Sequence, residues 1–453
     1  MQFLGRFSRD ESGNFGIMTA LMLIPLIGVA GLAIDFGRAL SLKAELAAAA
    51  DAAAVGAVAE KSAAVAQAMS MPGNGSVTLN TDEARKLFFG QIATNSADIP
   101  VTVDIQLLKT DNVITSRVAY QSTLPTTFMQ VLVKMDITVS NVVTATYQTP
   151  SFMDFYMLLD NTPSMGVGAS IAAIAKMKNA TRNGYQKPGN DKGKDANCAF
   201  ACHIVSDSGV DDPYSYYNVA KANKIPIRID VVAEAVKALM SSAKTTQTIS
   251  GQFRMAAYTF GEKAQNVKLF KVAELNESLS TVGDATDKIK LMSIPYQNYD
   301  SDQQTSFDKA LSDIKKEILD KSATYGAPGY GTSRADRQKI VFMVADGVGD
   351  SYKPKDCTKK LNGGRCIEPI DVRSCQALKD ANIRIAVLYT TYLPLEDNDF
   401  WKSWVKPFDG SISTKMRECA SPGYFFEVTL EQGIEEAMKT LFRKIVATPR
   451  LTS

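Results

Sequence analysis

The spacing of apolar and polar positions changes along the 453-residue chain, and each change marks a different element. The first pattern is an unbroken apolar run from Phe15 to Ile34, "FGIMTALMLIPLIGVAGLAI", without a single charge. As a helix rising about 1.5 Å per residue it would span roughly 30 Å, the thickness of a bilayer core. Pro25 is tolerable there because neighbouring groups or water take up the freed carbonyl. Residues 15–34 are therefore expected to be an uncleaved transmembrane helix behind a cytoplasmic tail, 1–14. A cleaved signal peptide is the alternative, since "GLA" before Ile34 offers small residues at a suitable spacing. The next stretch, "ALSLKAELAAAADAAAVGAVAEKSAAVAQAMS", is dense in alanine and strongly helix-forming. It predicts a continuous stalk over 35–76, ended by "MPGNGS". Its alanines would let it lie close against a partner or against the chain's own next domain.

Residues 77–150 mix two periods. Asn80 followed by Glu83 has the form of a capping box and predicts a short helix over 80–95. "IPVTVDIQLL", "VITSRVAYQSTL" and "MDITVSNVVTATYQ" then alternate apolar and polar residues and predict strands, giving a small α+β module. From residue 151 the alternation stops. "FMDFYMLL", "FRMAAYTF", "KIVFMVA" and "IRIAVLY" read as strands buried on both faces. Amphipathic helical stretches lie between them, such as the one placing Val232, Ala235, Val236 and Leu239 on one face. Residues 151–453, with an insertion at 183–226, are thus expected to form a mostly parallel sheet covered on both faces. Ligands in such folds collect outside the carboxyl ends of the strands.

Candidate chemistry sits at those ends. "MLLDNTPSMG" closes a strand with Asp160, Thr162 and Ser164; Thr305 precedes a helix, and "MVADG" closes another strand at Asp346. Carboxylates and hydroxyls without histidine or cysteine suit a hard divalent cation, Mg²⁺ before Ca²⁺ or Mn²⁺, rather than zinc. With two carboxylates only, water or a partner's acidic group would complete the coordination. The pattern resembles a von Willebrand factor type A domain and its metal-ion-dependent adhesion site. There a D-x-S-x-S loop, a threonine from a second loop and an aspartate before glycine meet. The resemblance implies a doubly wound, Rossmann-like α/β fold, with Asp160, Thr162, Ser164, Thr305 and Asp346 as metal ligands. This copy departs from it in having Thr162 for the first serine and Pro163 where glycine is usual. Threonine keeps the hydroxyl, whereas proline removes an N–H that a tight loop could use.

The N-terminal "RDESGNFGIMTALMLIPLIGVAGLAIDFGR" with "LKAELAAAADAAAVGA" resembles the TadE/TadG-like proteins of bacterial tight-adherence (Flp-type) pilus assembly. That resemblance implies an inner-membrane anchor, a periplasmic large domain and a role in pilus assembly or surface attachment. The partner would be a protein, a pilus or surface component bound through an acidic residue. No prepilin glycine-plus-glutamate arrangement is present to suggest processing.

Composition adds topology and removes some classes. Lysine and arginine number 50 against 48 acidic residues, a net +2 that gives no sign of a nucleic-acid partner. The basic cluster at Lys187–Lys194 reads as a solvated loop. Arg6 and Arg9 before the span are balanced by Arg38 and Lys43 after it. The six cysteines all follow the span, which favours an oxidising, extracytoplasmic compartment for the body. Cys357 and Cys366 flank a turn-rich loop, and Cys375 with Cys419 would tie C-terminal elements, among fifteen connectivities. In "CAFACH", Cys198, Cys202 and His203 make only three zinc ligands in a chain with one histidine, so a Cys198–Cys202 staple is expected instead. That single histidine leaves no Ser-His-Asp arrangement, and the glycine-rich loops lack a phosphate-loop lysine, so no enzyme or small-molecule substrate is expected. Two other readings stand beside the metal-dependent binding protein. One is a pseudopilin-like structural component with a metal-free scaffold domain. The other is a metal-dependent ATPase partner of the chelatase kind.

Overall fold

The computed structural model describes residues 12–71, 73–78, 81–92, 98–128, 136–188, 195–266, 268–297, 299, 304–393, 396, 398–429 and 433–447. The chain divides into two compact units, Met1–Thr149 and Pro150–Ser453.

In the first unit, α1 (Ser12–Ala57) runs from the apolar stretch into the alanine-rich one. By length and composition it could cross a membrane. Its N-terminal half exposes Leu21, Leu26, Ile27 and Val29. The C-terminal half turns Leu42, Leu46, Ala49, Ala50, Ala53 and Ala54 inward. This face shares a core with α2 (Ala63–Ser70), with α3 (Thr81–Gly90), and with the antiparallel sheet of β1 (Gly75–Ser76), β2 (Val101–Thr110), β3 (Val113–Pro125) and β4 (Asp136–Gln148). Alternation along β2, with Val103, Ile105 and Leu107 inward, is what fits it to the helix.

The small residues of the stalk bring it onto the module's own sheet, one of the two packings its alanines allow. One expectation changes: the stalk is not continuous but breaks between Ala57 and Ala63, where the Ser62 hydroxyl donates to Ala57 O and accepts from Val65 N. One side chain thus ends one helix and caps the next. The predicted cap at Asn80 lies outside the described residues, as do 189–194 of the basic loop.

The second unit is mixed α/β. It runs β5 (Met153–Leu159), α4 (Ile171–Ala180), β6 (His203–Ile204), α5 (Tyr216–Ala222), α6 (Arg228–Thr246), β7 (Phe253–Thr259) and β8 (Phe270–Asn276). Then come α7 (Leu279–Asp284), β9 (Ser293–Ile294), β10 (Gln304–Thr305), α8 (Phe307–Asp320), α9 (Ser322–Tyr325), β11 (Gln338–Ala345), β12 (Val348–Tyr352) and β13 (Arg365–Pro369). The chain closes with α10 (Val372–Lys379), β14 (Ile383–Thr390), α11 (Asp409–Cys419), β15 (Phe425–Val428) and α12 (Ile434–Ala447).

The main sheet has the order β15-β14-β11-β5-β7-β8, parallel except for β8. Every residue of β5 and β11 is buried, as strands covered on both faces must be. From β5 the chain steps to β7 on one side and returns to β11 on the other. The carboxyl ends of β5 and β11 therefore flank the point where strand order reverses, the place where such sheets leave a crevice.

At the opposite end of β5, buried Asp154 accepts from Arg254 (2.8 and 2.7 Å) and from Lys339 (2.6 Å), with Arg337 at 3.4 Å. Three cations, one on β7, one on β11 and one just before β11, thus share one carboxylate. Cys357–Cys366 and Cys375–Cys419 are disulfides, the second joining α10 to the end of α11.

Candidate functional site

Register places the predicted oxygen donors together. Leu159 pairs with Val344, and Asp160 N donates to Val344 O at 2.9 Å. Asp160 and Asp346 thus leave adjacent strands side by side. Gly347 follows at φ +78°, and a Cβ there would meet Ile412 and Met416, so only glycine lets the chain turn into β12. β12 then pairs with β10, Thr305 opposite Asp350, and this brings Thr305 back over the strand ends.

The Asp160 Oδ1 atom accepts from both Thr162 N (3.0 Å) and Thr162 Oγ1 (2.7 Å). Thr305 Oγ1 donates to Thr162 Oγ1 at 2.8 Å. Asp160, Thr162 and Asp346 are all buried. Their other oxygens behave differently. Asp160 Oδ2, Asp346 Oδ2 and Ser164 Oγ are buried without a hydrogen bond, although the Ser164 hydroxyl sits beside the Asp346 carboxylate. Burial of such atoms without partners is costly and uncommon in folded proteins. Burial and the neighbouring Asp346 push the Asp160 carboxyl up to about 7; burial also raises Asp346, opposed by the nearby Arg228.

Pro163 does not break the loop. It opens a 3₁₀ turn, Pro163–Gly166, after an extended Thr162 (φ −71°, ψ 169°), and Met165 N closes the turn onto Thr162 O. At a turn's first position the missing N–H would have found no partner within the turn.

Sequence reasoning missed Arg228. It is the first residue of α6 and is 1% exposed, with one Nη donating to Thr391 O at 3.2 Å and Nε without a partner. Its charge acts on both aspartates. The signal was an arginine set between isoleucines in "IPIRIDVV", an apolar setting unusual for a solvated helix start.

A cleft of about 380 Å³ opens outside Ser164 and Thr305, walled by Phe200, Tyr392 and Phe400. Arg365 grips Asp350 at 2.7 Å and stacks over Phe400 at 4.8 Å. Phe200 belongs to the insertion and pairs with Val167 beside the first loop. Gly166 permits this approach, since a Cβ there would lie 2.6 Å from Ala201 O.

Cys198 and Cys202 also line this cleft, but as thiols rather than the expected staple. Cys198 Sγ donates to Phe200 O and Cys202 Sγ accepts from Gln297. His203 does not join them. It stacks on Tyr217, its Nδ1 lies 3.1 Å from Leu291 O, and burial lowers its pKa.

At the other end of the chain, residues 13–66 match the family model described as putative Flp pilus-assembly TadE/G-like. No curated protein sequence matches the chain. Among solved structures, this chain is similar to proximal thread matrix protein 1 of the mussel byssus, whose structure has a zinc-occupied MIDAS motif. Identity is 13% over 66% of this chain and 46% of that one, with a TM-score of 0.31. This chain thus spans about half the length of the mussel protein. It is also similar to the vWF domain of the type V pili tip protein Mfa5 of Porphyromonas gingivalis, at 10% identity, covering 67% and 99% of the two chains (TM-score 0.33). A third is the PilB minor pilin of Streptococcus sanguinis, solved as a point mutant, at 9% identity over 78% and 81% (TM-score 0.31).

Proposed function

We propose that this chain is a membrane-anchored, non-enzymatic assembly or adhesion component of a tight-adherence (Flp-type) pilus. In this reading Met1–Thr149 anchors the protein in the inner membrane. Pro150–Ser453, a von Willebrand-type unit, binds a protein partner on the extracytoplasmic side. The observation that carries the binding role is the set of three buried, unpartnered oxygens on Asp160, Ser164 and Asp346. An oxygen-only donor set of this kind fits a hard divalent cation such as Mg²⁺. Asp160, Thr162, Ser164, Thr305 and Asp346 would hold it. When bound, it would supply an electrophilic centre to which a partner's carboxylate can attach.

The chain's own groups set the conditions. Asp160 and Asp346 furnish the negative charge and must both be deprotonated. Thr162 orients the Asp160 carboxylate through its N–H and hydroxyl, while Thr305 holds Thr162. The aromatic walls of the cleft exclude water around the entering side chain, which strengthens charge contacts. Support for the pilus assignment is the TadE/G-like match at residues 13–66, and the two disulfides suit an oxidising compartment.

Substituting Asp160→Ala and Asp346→Ala tests this reading. Both variants should fold, lose Mn²⁺ binding and fail to support surface pili. Wild-type piliation by both would leave the unit as a scaffold. Arg228 favours that second reading, because a guanidinium buried beside the aspartates already supplies positive charge. In the scaffold case the first unit alone should sustain assembly after deletion of residues 151–453.

A further inference from the structure

The start of the connection between β3 and β4, residues 126–128, meets α1 at an unusual level. Asp35, the first charged residue after the apolar run, is 1% exposed. Its Oδ1 accepts from Thr127 N at 3.0 Å and its Oδ2 from Phe128 N at 2.9 Å. Arg38, one turn further on, donates to Thr127 Oγ1 at 2.7 Å and lies 3.9 Å from Asp35. A carboxylate that takes two backbone N–H groups holds a loop in one place. Phe128 is held against Gly31, where a Cβ would stand 2.5 Å from Phe128 Cβ. Gly31 precedes Asp35 by four residues, about 6 Å along a helix, and so lies inside the apolar run.

Phe128 therefore sits within the band where α1 exposes Ile24, Ile27, Leu32 and Ile34, and it is itself 42% exposed. An aromatic ring left half bare beside exposed aliphatic side chains gains little in water. At the boundary of a bilayer, by contrast, Phe and Leu side chains are buried among the acyl chains next to the headgroups, and charged neighbours keep to the aqueous side. Asp35 and Arg38 stand on that aqueous side, one turn away.

We propose that Thr127 and Phe128, just after β3, form a second membrane contact, in which Phe128 enters the lipid interface beside α1. The Asp35 clamp sets its depth. The inference rests on the reading of α1 as a membrane span. Two attachments would hold the first unit at a fixed height and tilt on the bilayer, where one helix alone leaves it free to swivel. The occupant is lipid rather than a second protein because the patch is continuous with the apolar face of α1.

The test uses the full chain in phosphatidylcholine vesicles, with and without acyl chains brominated near the headgroup. Phe128→Trp adds a reporter at the site, and Thr146→Trp adds one on the exposed surface of β4. Trp401 and Trp404, in the other unit, give a constant background. The 128 reporter should emit at shorter wavelength than the 146 reporter, lose intensity to brominated lipid and resist aqueous iodide. Adding Asp35→Asn should reverse these differences while the chain stays in the vesicles after alkaline carbonate. A 128 reporter open to iodide and blind to bromine, in a chain that carbonate does not extract, overturns the second contact alone. Extraction of the unaltered chain by carbonate overturns the membrane span, and the second contact with it.

Discussion

Asp160 and Asp346 share a buried space with Arg228, and the balance of those three charges governs the site. Removing the guanidinium leaves the pair of carboxylates uncompensated. Arg228→Met should raise divalent-cation affinity by roughly ten-fold or more, since a unit charge at short range inside a protein is worth several kcal/mol. The same change should lower the stability of the cation-free protein by about 1–3 kcal/mol, partly because Thr391 O loses its donor. Titration calorimetry and urea unfolding read the two effects; unchanged affinity would show that Arg228 is electrically remote from the site.

The pH dependence has a definite sign. Asp160 titrates near 7 in the folded chain, well above its unfolded value, so between about pH 4 and pH 7 the folded state holds a proton that the unfolded state has lost. Cation-free protein should therefore lose stability as pH rises through that window. Mg²⁺ should restore more of it at each step, because deprotonated ligands bind better. Melting curves with chelator and with Mg²⁺, from about pH 5 to about pH 8, test this. A chelated protein that gains stability over the range would contradict it.

At the scale of elements, β5 carries a separate demand at each end. Its carboxyl end delivers Asp160, and its amino end delivers Asp154 to Arg254, Arg337 and Lys339. Asp154→Ala would leave three cations facing one another in a buried site, at a cost of about 3–5 kcal/mol in chemical unfolding. A change below about 1 kcal/mol would mean that water already reaches the cluster.

Much of this architecture was legible in the sequence. The four unbroken apolar runs became strands because burial on both faces leaves no room for polar alternation. Asp160, Thr162, Ser164 and Asp346 met at one edge because the parallel strands β5 and β11 end on the same side, and Thr305 reached it through the pairing of β10 with β12. Other features were not legible. Arg228 showed only its apolar neighbours, and its placement beside the aspartates involves Val167 and Thr391, far away in the chain. The helix break at 58–62 falls within a helix-forming alanine-rich run, where Ser62 is a local sign of it. Cys198 and Cys202 are close in sequence, yet Phe200 between them is committed to Val167.

The whole molecule joins a unit whose residues 13–66 match a TadE/G-like family model to an α/β unit in which Asp160 Oδ2, Ser164 Oγ and Asp346 Oδ2 are buried without a hydrogen bond. An extracytoplasmic body predicts that protease added to spheroplasts should digest Pro150–Ser453 and spare α1. Full protection of that unit would place it in the cytoplasm and remove the rationale for its disulfides. The central claim, however, is that Asp160, Ser164 and Asp346 are unpartnered because a cation completes them. The most direct measurement is Mn²⁺ titration of purified chain, followed by electron paramagnetic resonance of the free ion. The account predicts one equivalent of bound Mn²⁺, displaced by Mg²⁺ and abolished by Asp346→Ala in a variant with unchanged circular dichroism. No binding at millimolar Mn²⁺, or binding that survives Asp346→Ala, would contradict it.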